Sequence, residues 1–532
     1  MLVKRGSDGV GVDGQQVVDE MAKRHDAAMN PKSNALSTAL TSVGFMFHLG
    51  LSPASAMVNL TQTALVAYPV MGARWGFAKA SGALLKASQE AARGKNDITG
   101  ALTPDEKAAF DEAVRSGVVD VTMAHDLAGI AQGEDRNVSY KLRPVMRAAS
   151  FLFHHAEKFN RQVTFIAAYR LAREAGADSQ AAYTQAVQAT YDGHFDYSAN
   201  NRPRVMQGNV ARVLLLFKQY GQNMVYTFAR NALQALKGAT PEDRAQARKA
   251  LAGLLTTHAM AAGVLGLPMV TTLLAAASMI GGDDDEPWDA KVALQNLLAD
   301  TFGQKPAEVL AHGLSRLTPW DISARVGLDK LIFPDVQEGL EGQRLGESAM
   351  AAALGPVAAI GINALKGLQE MSHGRYQLGL EAMAPSVLRG PLKAFRYNNE
   401  GVKDKTGIVV QDEVDAAALL GQAAGFSPSS VRNAYEGKSA VVGLDRALQA
   451  RRSSLVERFA MAAMAKDEEG KTEAREAIRH FNEKNPDRRI LPMQLAQSVR
   501  AREKRIREAE DGVYLPRKRR DAIEQGRFAN EE

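Results

Sequence analysis

Residues 250–282 limit how this chain can fold more than any other segment, because no Asp, Glu, Lys or Arg occurs among them. A helix rises about 1.5 Å per residue, so a bilayer-spanning helix needs about 20 apolar residues, and the segment is long enough. It is also rich in Ala, Gly and Thr and is interrupted at Gly266 to Pro268, as expected for a pair of buried core helices. Insertion into a bilayer and burial in a protein core both remain open.

The larger apolar side chains of this segment are the candidate membrane-contact residues. They are Leu251, Leu254, Leu255, Val264, Leu265, Leu267, Met269, Leu273, Leu274 and Ile280. If the segment swings out of the folded protein, these side chains would contact lipid.

Two further uncharged runs occur in the chain. Residues 33–73 contain many Ser, Thr and Asn side chains, which need hydrogen-bond partners, so we expect core helices divided at Pro53 and Pro69, with membrane insertion as the alternative. Residues 348–365 are interrupted at Gly355 and Pro356 and are too short and broken to span a bilayer. The mean hydropathy of -0.22 is low for a protein with many permanent spans. Membrane contact would therefore be conditional.

The composition predicts an all-α fold. Aromatic residues make up only 6% of the chain, whereas Ala, Leu, Gln, Arg and Glu recur throughout, which favours helices over sheets. Thr103, followed by Pro104 and two acidic residues, predicts the start of a helix. Residues 144–175 predict a long helix with Val163 and Ile166 on an apolar face and Arg161 on another face.

A chain of 532 residues is too long for one compact core. We expect a multi-helical, elongated or multi-unit protein with three parts. These are an N-terminal helical domain (1–240), a central apolar helical region (241–370), and a linker plus a charged helical C-terminal region (371–532). Residues 389–407, RGPLKAFRYNNEGVKDKTG, predict an irregular linker.

The C-terminal region carries a basic helical tail. The candidate contacts to DNA or to an anionic surface are Arg500, Lys504, Arg507, Arg517, Lys518, Arg519 and Arg520. The first three share one helix face, and the last four form a cluster that could neutralise phosphates without reading sequence. An ordinary solvated charged helix is the alternative interpretation.

Motifs that would support enzymatic activity are weak or missing. Gly9, Gly11 and Gly14 match GxGxxG, but no buried strand precedes them, so we reject a dinucleotide site. His154 and Glu157 lie three residues apart without a second pair, which favours a structural pair over a metal site. Residues 283–286 lack calcium-loop spacing and predict a solvated turn. We therefore predict no enzyme activity, no metal and no cofactor. The absence of cysteine excludes disulfides and thiolate catalysis.

Several long segments resemble the PLxRFG-type proteins of tailed bacteriophages and prophages, and together they cover most of the chain. The matching segments are FHLGLSPASAMVNLTQTALVAYP (47–69), residues 159–173, HFDYSANNRPR (194–204), MQGNVARVLLLFKQYGQNM (206–224), GFSPS (425–429), FNEKNP (481–486) and GRFAN (526–530). Pro391 and Leu392, with Phe395, Arg396 and Glu400, approximate the motif that names the family. Pro391 and Leu392 are followed by Lys-Ala-Phe-Arg-Tyr (393–397), so the match to that motif is incomplete.

This resemblance implies an internal virion or ejection protein, which is a phage structural protein. Such a protein is packed in the virion interior, delivered with the genome to the host cell envelope, and helps DNA cross it. Its expected partners are portal or other ejection proteins, further copies of itself, nucleic acid through the basic tail, and a membrane. In this family such sequences often form the C-terminal part of much larger proteins. The alternative hypothesis is a non-enzymatic helical scaffold or adaptor whose apolar tracts stay buried.

Overall fold

The protein has the all-α fold that its composition predicts. The computed structural model describes residues 12–29, 35–120, 143–197, 208–281, 285, 288–329, 343–404 and 407–511. Helices dominate these ranges, and the strands are only two or three residues long.

The helices are numbered here in chain order. In the first half of the chain they are α1 (Val12–Met29), α2 (Ala35–His48), α3 (Pro53–Leu60), a π-helical segment (Thr63–Ala67), α4 (Tyr68–Trp75), α5 (Phe77–Arg93), α6 (Pro104–Arg115), α7 (Arg143–Glu174), α8 (Ser179–His194), α9 (Asn209–Leu214), α10 (Lys218–Lys237) and α11 (Pro241–Ala262). In the second half they are α12 (Val270–Gly281), α13 (Ala290–Phe302), α14 (Gln304–His312), α15 (Ser323–Val326), α16 (Gln343–Ser372), α17 (Tyr376–Met383), α18 (Ser386–Glu400), α19 (Ala416–Ala424), α20 (Ser429–Ala465), α21 (Glu468–Lys484) and α22 (Pro492–Asp511). Short 3-10 turns lie at Thr99–Ala101, Val264–Gly266, Leu314–Leu317 and Pro486–Arg488.

In the described part of the chain, four short strands form two antiparallel pairs. Strand β1 (Trp320–Asp321) pairs with β4 (Ser427–Pro428), and β2 (Val402–Lys403) pairs with β3 (Val409–Gln411). The first pair joins two segments that are far apart in sequence. It connects the residues just before α15 to the residues just before α20.

Helix starts follow the sequence signals. Thr103 caps α6 through a capping box with Glu106, which confirms the predicted start at Pro104. Thr240 forms the equivalent capping box with Asp243 at the start of α11. These caps satisfy backbone N–H groups that have no partner within the helix, so local sequence alone places both boundaries.

Helix α7 is the centre of the first hydrophobic core. Its residues 161–169 are all buried, because α3, α5 and α8 pack around it. Phe165 and Ile166 contact a cluster that includes Phe110 of α6 and Ala186 of α8. The expectation of one apolar and one polar face is wrong for this stretch, since Arg161 is as buried as its apolar neighbours.

The central uncharged segment is divided rather than continuous. Helix α11 ends at Ala262, a 3-10 turn follows, and α12 starts at Val270. Gly263 has φ 73, and a Cβ there would collide with the carbonyl of Ala311. The break between the two helices covers 263–269, so it contains the expected break at 266–268 and begins a few residues earlier, at Gly263.

The expected irregular linker at 389–407 is wrong over most of its length. Residues up to Glu400 belong to α18, and a β-hairpin follows. Pro391 lies inside the helix, yet the helix persists because its buried face is anchored in the fold. Arg396 donates two hydrogen bonds to Glu381 of α17, at 2.7 and 3.0 Å, and both side chains are buried.

The described chain forms two compact units. One comprises Met1–Leu273 with Gln295–Glu436, and the other comprises Leu274–Leu294 with Gly437–Glu532. The boundaries expected from the sequence, at 240 and 370, both fall inside the first unit. Helix α10 packs on α11 across residue 240, and 370 lies inside α16, which packs on α17.

Candidate functional site

The candidate membrane-contact residues do not share one surface. Leu254 and Leu265 are buried, and Leu254 lies in a core cluster with Val66, Phe195 and Tyr197. Leu255, Met269 and Leu273 are exposed. The remaining described members are half-buried, namely Leu251, Val264, Leu267 and Leu274. The side chain of Ile280 lies outside the described part. The burial of Leu254 and Leu265 supports the core-helix interpretation for the part of the segment that contains them.

The uncharged run at 33–73 combines buried core residues, such as Phe45 and Val66, with the length and composition of a membrane span. In the described ranges, no single helix is both long and apolar enough to cross a bilayer. One bent pair, Leu36–His48 with Pro53–Trp75, meets the length and composition criteria together and bends by 91°. Its larger apolar side chains include several on the surface, namely Leu36, Val43, Met46, Leu51, Met57 and Leu60.

A buried polar network anchors the C-terminal arm of this bent pair. Asn160 of α7 donates to the carbonyl of Asn59 at 2.7 Å and accepts from the hydroxyl of Thr63 at 2.8 Å. Gln62 donates to the carbonyl of Gly193 at 3.2 Å. Thr63 begins the π-helical segment, a rare conformation that widens the helix by one residue per turn. The π-segment is therefore tied to both α7 and α8.

Arg161 is the centre of a second part of the network. Its guanidinium pairs with Glu157 at 3.2 Å, donates to the carbonyl of Val118 at 3.1 Å, and donates to the carbonyl of Phe195 at 2.7 Å. Phe195 has φ 61 at the C-terminal end of α8, and its carbonyl points back to this guanidinium. One charged side chain thus holds the end of α8 and the loop after α6 against α7.

His194 and Thr164 form a buried imidazole–hydroxyl pair. Their Nε2 and Oγ1 atoms share a 2.7 Å hydrogen bond, while His194 Nδ1 has no hydrogen-bond partner among the described residues. Burial, assisted by the neighbouring Arg161 charge, holds the pKa of His194 well below its usual value. The imidazole is therefore neutral at physiological pH. Both side chains are buried to 1% exposure or less, so the pair is a structural contact in this conformation.

Sequence patterns alone missed this network. The available signal was polar residues inside otherwise apolar stretches, such as Asn160 and Gln162 within FNRQVTF and Gln62 within an uncharged run. A polar side chain is buried only when it has partners, so these positions indicate buried hydrogen bonds. The partners of these three side chains are 66 to 131 residues away in sequence, which no local pattern reveals.

Glu157, one half of the predicted His154 and Glu157 pair, belongs to the Arg161 network. It is 2% exposed and ion-paired, as a structural role requires. Within the described ranges, no group of three or more His, Asp or Glu residues is arranged to hold a metal ion. Of the GxGxxG glycines, Gly9 and Gly11 lie outside the described residues, and Gly14 lies in α1.

The expected solvated turn at 283–286 is wrong for Asp285, the one residue of the four that the structure describes. It is 3% exposed. Its carboxylate accepts from Arg451 at 2.6 Å and contacts His480 Nδ1 at 2.8 Å, and its carbonyl accepts from Asn485 at 2.8 Å. Asp285 and its three partners belong to the second unit. There Asp285 fastens the Leu274–Leu294 segment to α20 and α21.

The basic candidates fall into two groups. Arg500 and Lys504 are exposed and Arg507 is half-exposed on α22. This face lies away from Leu495 and Val499, which pack on the hydrophobic core of the second unit. Lys504 has a salt bridge with Glu508 at 3.6 Å. Arg517, Lys518, Arg519 and Arg520 lie outside the described residues.

Many residues that carry the family resemblance have structural roles. Arg396 is paired with Glu381, and both side chains are buried. Phe481 is fully buried in the core of the second unit. Asn482 closes the turn to Ile490 through two hydrogen bonds. Phe395, by contrast, is 62% exposed.

Comparison with protein-family models, curated proteins and solved structures finds no match to this chain.

Proposed function

We propose that this chain is a bacteriophage internal virion protein that helps deliver the genome across the host envelope by forming a membrane-associated conduit. Packed in the virion interior, it would leave with the DNA and act at the envelope with portal or other ejection proteins and further copies of itself. The sequence resemblance suggests this role. The structural observation that carries the membrane step is the bent apolar pair, Leu36–His48 with Pro53–Trp75.

The N-terminal arm of the pair is suited to move into lipid. Thr41 donates its hydroxyl to carbonyls of its own helix, at 3.0 and 2.9 Å, so this hydroxyl keeps its partners when α2 leaves the protein. Leu36 and Val43 of the same helix are exposed before any rearrangement. The C-terminal arm, Pro53–Trp75, is held by α7 and α8 through the contacts of Asn59, Gln62 and Thr63. We therefore place the hinge between α2 and α3.

The alternative function is a non-enzymatic scaffold with permanently buried apolar tracts. Burial of Leu254 and Leu265 favours it for the central segment. It differs in its prediction for α2, which would keep its protein contacts in the presence of a membrane.

The membrane step is tested with an environment-sensitive dye on single cysteines, which the cysteine-free chain allows. The dye is placed at Val43→Cys in α2 and, as a matched control, at Leu236→Cys, a 75% exposed position in α10. With phosphatidylethanolamine–phosphatidylglycerol vesicles, we expect a blue shift of emission for the Val43 label alone. Unchanged emission from both labels would favour the scaffold.

The virion step is tested separately by quantitative mass spectrometry. Intact particles of the encoding phage are compared with particles induced to release their DNA. The ejection hypothesis predicts that the protein is present in the first and depleted from the second. Absence from intact particles would contradict it, whatever the vesicle result.

A further inference from the structure

A polar hollow lies between α20 and α22 in the second unit. Its volume is about 360 Å³, at the lower end of the roughly 300–1,000 Å³ typical of small-molecule sites. Six of its seven lining residues are polar or charged, namely Arg452, Ser453 and Glu457 on α20 and Gln494, Ser498 and Arg502 on α22. Such a lining suits a small polar ligand.

Helical spacing brings two arginines to this hollow from different helices. Gln494, Ser498 and Arg502 are spaced by four residues and form one stripe along α22. Arg452 and Ser453 occupy the facing side of α20. Arg452 is oriented by a 2.7 Å hydrogen bond from its Nη2 to Gln494 Oε1. The two guanidinium groups are thus held on opposite walls of the same hollow.

Donors remain available at this site. Arg452 uses Nη2 for Gln494, and its Nε is buried without a hydrogen-bond partner in the described part of the chain, so a ligand in the hollow would use the remaining terminal N–H groups. Arg502 uses one nitrogen, Nη2, in a 2.7 Å ion pair with Glu457. Since a guanidinium carries five N–H donors, most of those on Arg502 are open to a ligand.

We infer that this hollow binds a phosphate group. Arginine N–H pairs match phosphate oxygens in geometry and charge, and serine hydroxyls on both walls supply further donors. Glu457 limits the affinity, because its carboxylate competes with the anion for Arg502. The hollow lies on a different side of α22 from Arg500 and Lys504. The inference is independent of the proposed delivery function.

The ligand chemistry is shared by inorganic phosphate, the backbone of single-stranded DNA and the headgroup of phosphatidylglycerol. Isothermal titration of the full chain uses each of the three in turn, the lipid being presented in phosphatidylcholine vesicles. We expect at least one of the three to bind saturably, and this binding to depend on Arg452. The probe that binds most tightly identifies where the phosphate group comes from. No saturable binding to any of them would overturn the inference.

The variants are matched on one unit of charge. Arg452→Gln should weaken phosphate binding by at least about tenfold, the effect of losing one hydrogen bond to a charged group. Arg500→Gln removes the same charge outside the hollow and should change affinity by less than about twofold. Glu457→Gln should strengthen binding. An equal loss of phosphate affinity in Arg500→Gln would mean that binding depends only on general electrostatic attraction, and would contradict the inferred site.

Ser498→Ala tests the site with less risk to folding than a change at Arg452, since it removes only a half-buried hydroxyl. It should weaken binding while circular dichroism shows unchanged helix content. Unaltered affinity in this variant, together with a misfolded Arg452→Gln, would contradict the inferred geometry.

Discussion

Arg161 illustrates how a charged residue can organise an apolar core at the residue scale. A buried charge is tolerated only when it is paired and its remaining donors are satisfied. Glu157 supplies the opposite charge one helical turn away, and carbonyls of Val118 and Phe195 accept the other hydrogen bonds. These two carbonyls have no hydrogen-bond partner within a helix of their own in the described part of the chain. Arg161 therefore satisfies them while they satisfy its N–H donors.

Removing the charge of Glu157 should be strongly destabilising. Glu157→Gln leaves a buried guanidinium without its counter-charge, for which we expect a loss of about 3–5 kcal/mol in the free energy of unfolding. The matched control is Glu174→Gln, which breaks an exposed pair with Lys79 and should cost about 1 kcal/mol or less. Urea unfolding followed by circular dichroism measures both. Equal effects would mean that Glu157 is not buried as described.

His194 should make stability depend on pH. Its folded-state pKa lies well below the unfolded value of about 6.5. Below about pH 6.5 the unfolded chain therefore binds a proton at this imidazole that the folded chain does not bind. Stability should therefore be full above about pH 6.5 and fall as the pH drops below it. His194→Gln should reduce this dependence, and buried His258, whose pKa burial also lowers, should retain part of it. His373→Gln, on the surface, should leave it nearly intact. Urea midpoints between about pH 5 and pH 8 provide the measurement. A wild-type midpoint independent of pH would refute the argument.

At the scale of elements, two glycines let a pair of helix ends cross closely. Gly263 follows α11 and Gly313 follows α14, and both have positive φ. A Cβ on Gly263 would collide with Ala311, and one on Gly313 would collide with Ala261. This reciprocal contact explains why the uncharged segment turns at Gly263 instead of continuing as one long helix.

Gly263→Ala separates backbone strain from crowding when it is compared with Gly303→Ala. Gly303 has φ 84 in a similar conformation but no neighbouring atom where a Cβ would be added. We expect about 1–3 kcal/mol of destabilisation from strain at Gly303, and about 1–3 kcal/mol more at Gly263 from overpacking. Thermal unfolding of the two variants gives the comparison. A smaller loss at Gly263 would show that the crossing is looser than described.

At the scale of the whole molecule, the chain holds two separate compact units. The second unit has its own core, which includes Leu455, Phe459, Ile478 and Phe481. It recruits the distant Leu274–Leu294 segment, which Asp285 fastens in place. The region that sequence patterns describe as a charged tail is thus part of a folded unit as far as residue 511.

A core mutation in the second unit should open that unit selectively. Phe481→Ala removes a fully buried aromatic ring, for which a loss of about 3–5 kcal/mol is typical. Hydrogen exchange should then lose protection in α20 residues after 437 and in α21, while α7 keeps its protection. Phe165→Ala, in the core of the first unit, should give the reverse pattern. Uniform loss of protection in either variant would argue against two units.

Local sequence was sufficient to predict the all-α class, the capped start of α6 and the break in residues 348–365, where Gly355 has φ 76 inside α16. These features depend on propensities and hydrogen bonds that act within a few residues. Local sequence was misleading at 389–407, because a buried pair between Arg396 and Glu381 sustains a helix that contains a proline.

Only the tertiary structure decided which polar and apolar side chains are buried. Uncharged segments looked alike in sequence, yet Leu254 became core while Leu36 and Val43 stayed on the surface. Arg161 and Asp285 looked like solvated charges, yet each is buried by partners distant in sequence. Burial depends on which segments pack together, and a polar side chain becomes buried where the packed segments supply its hydrogen bonds. That pairing is a property of the folded chain and is not written in any local pattern.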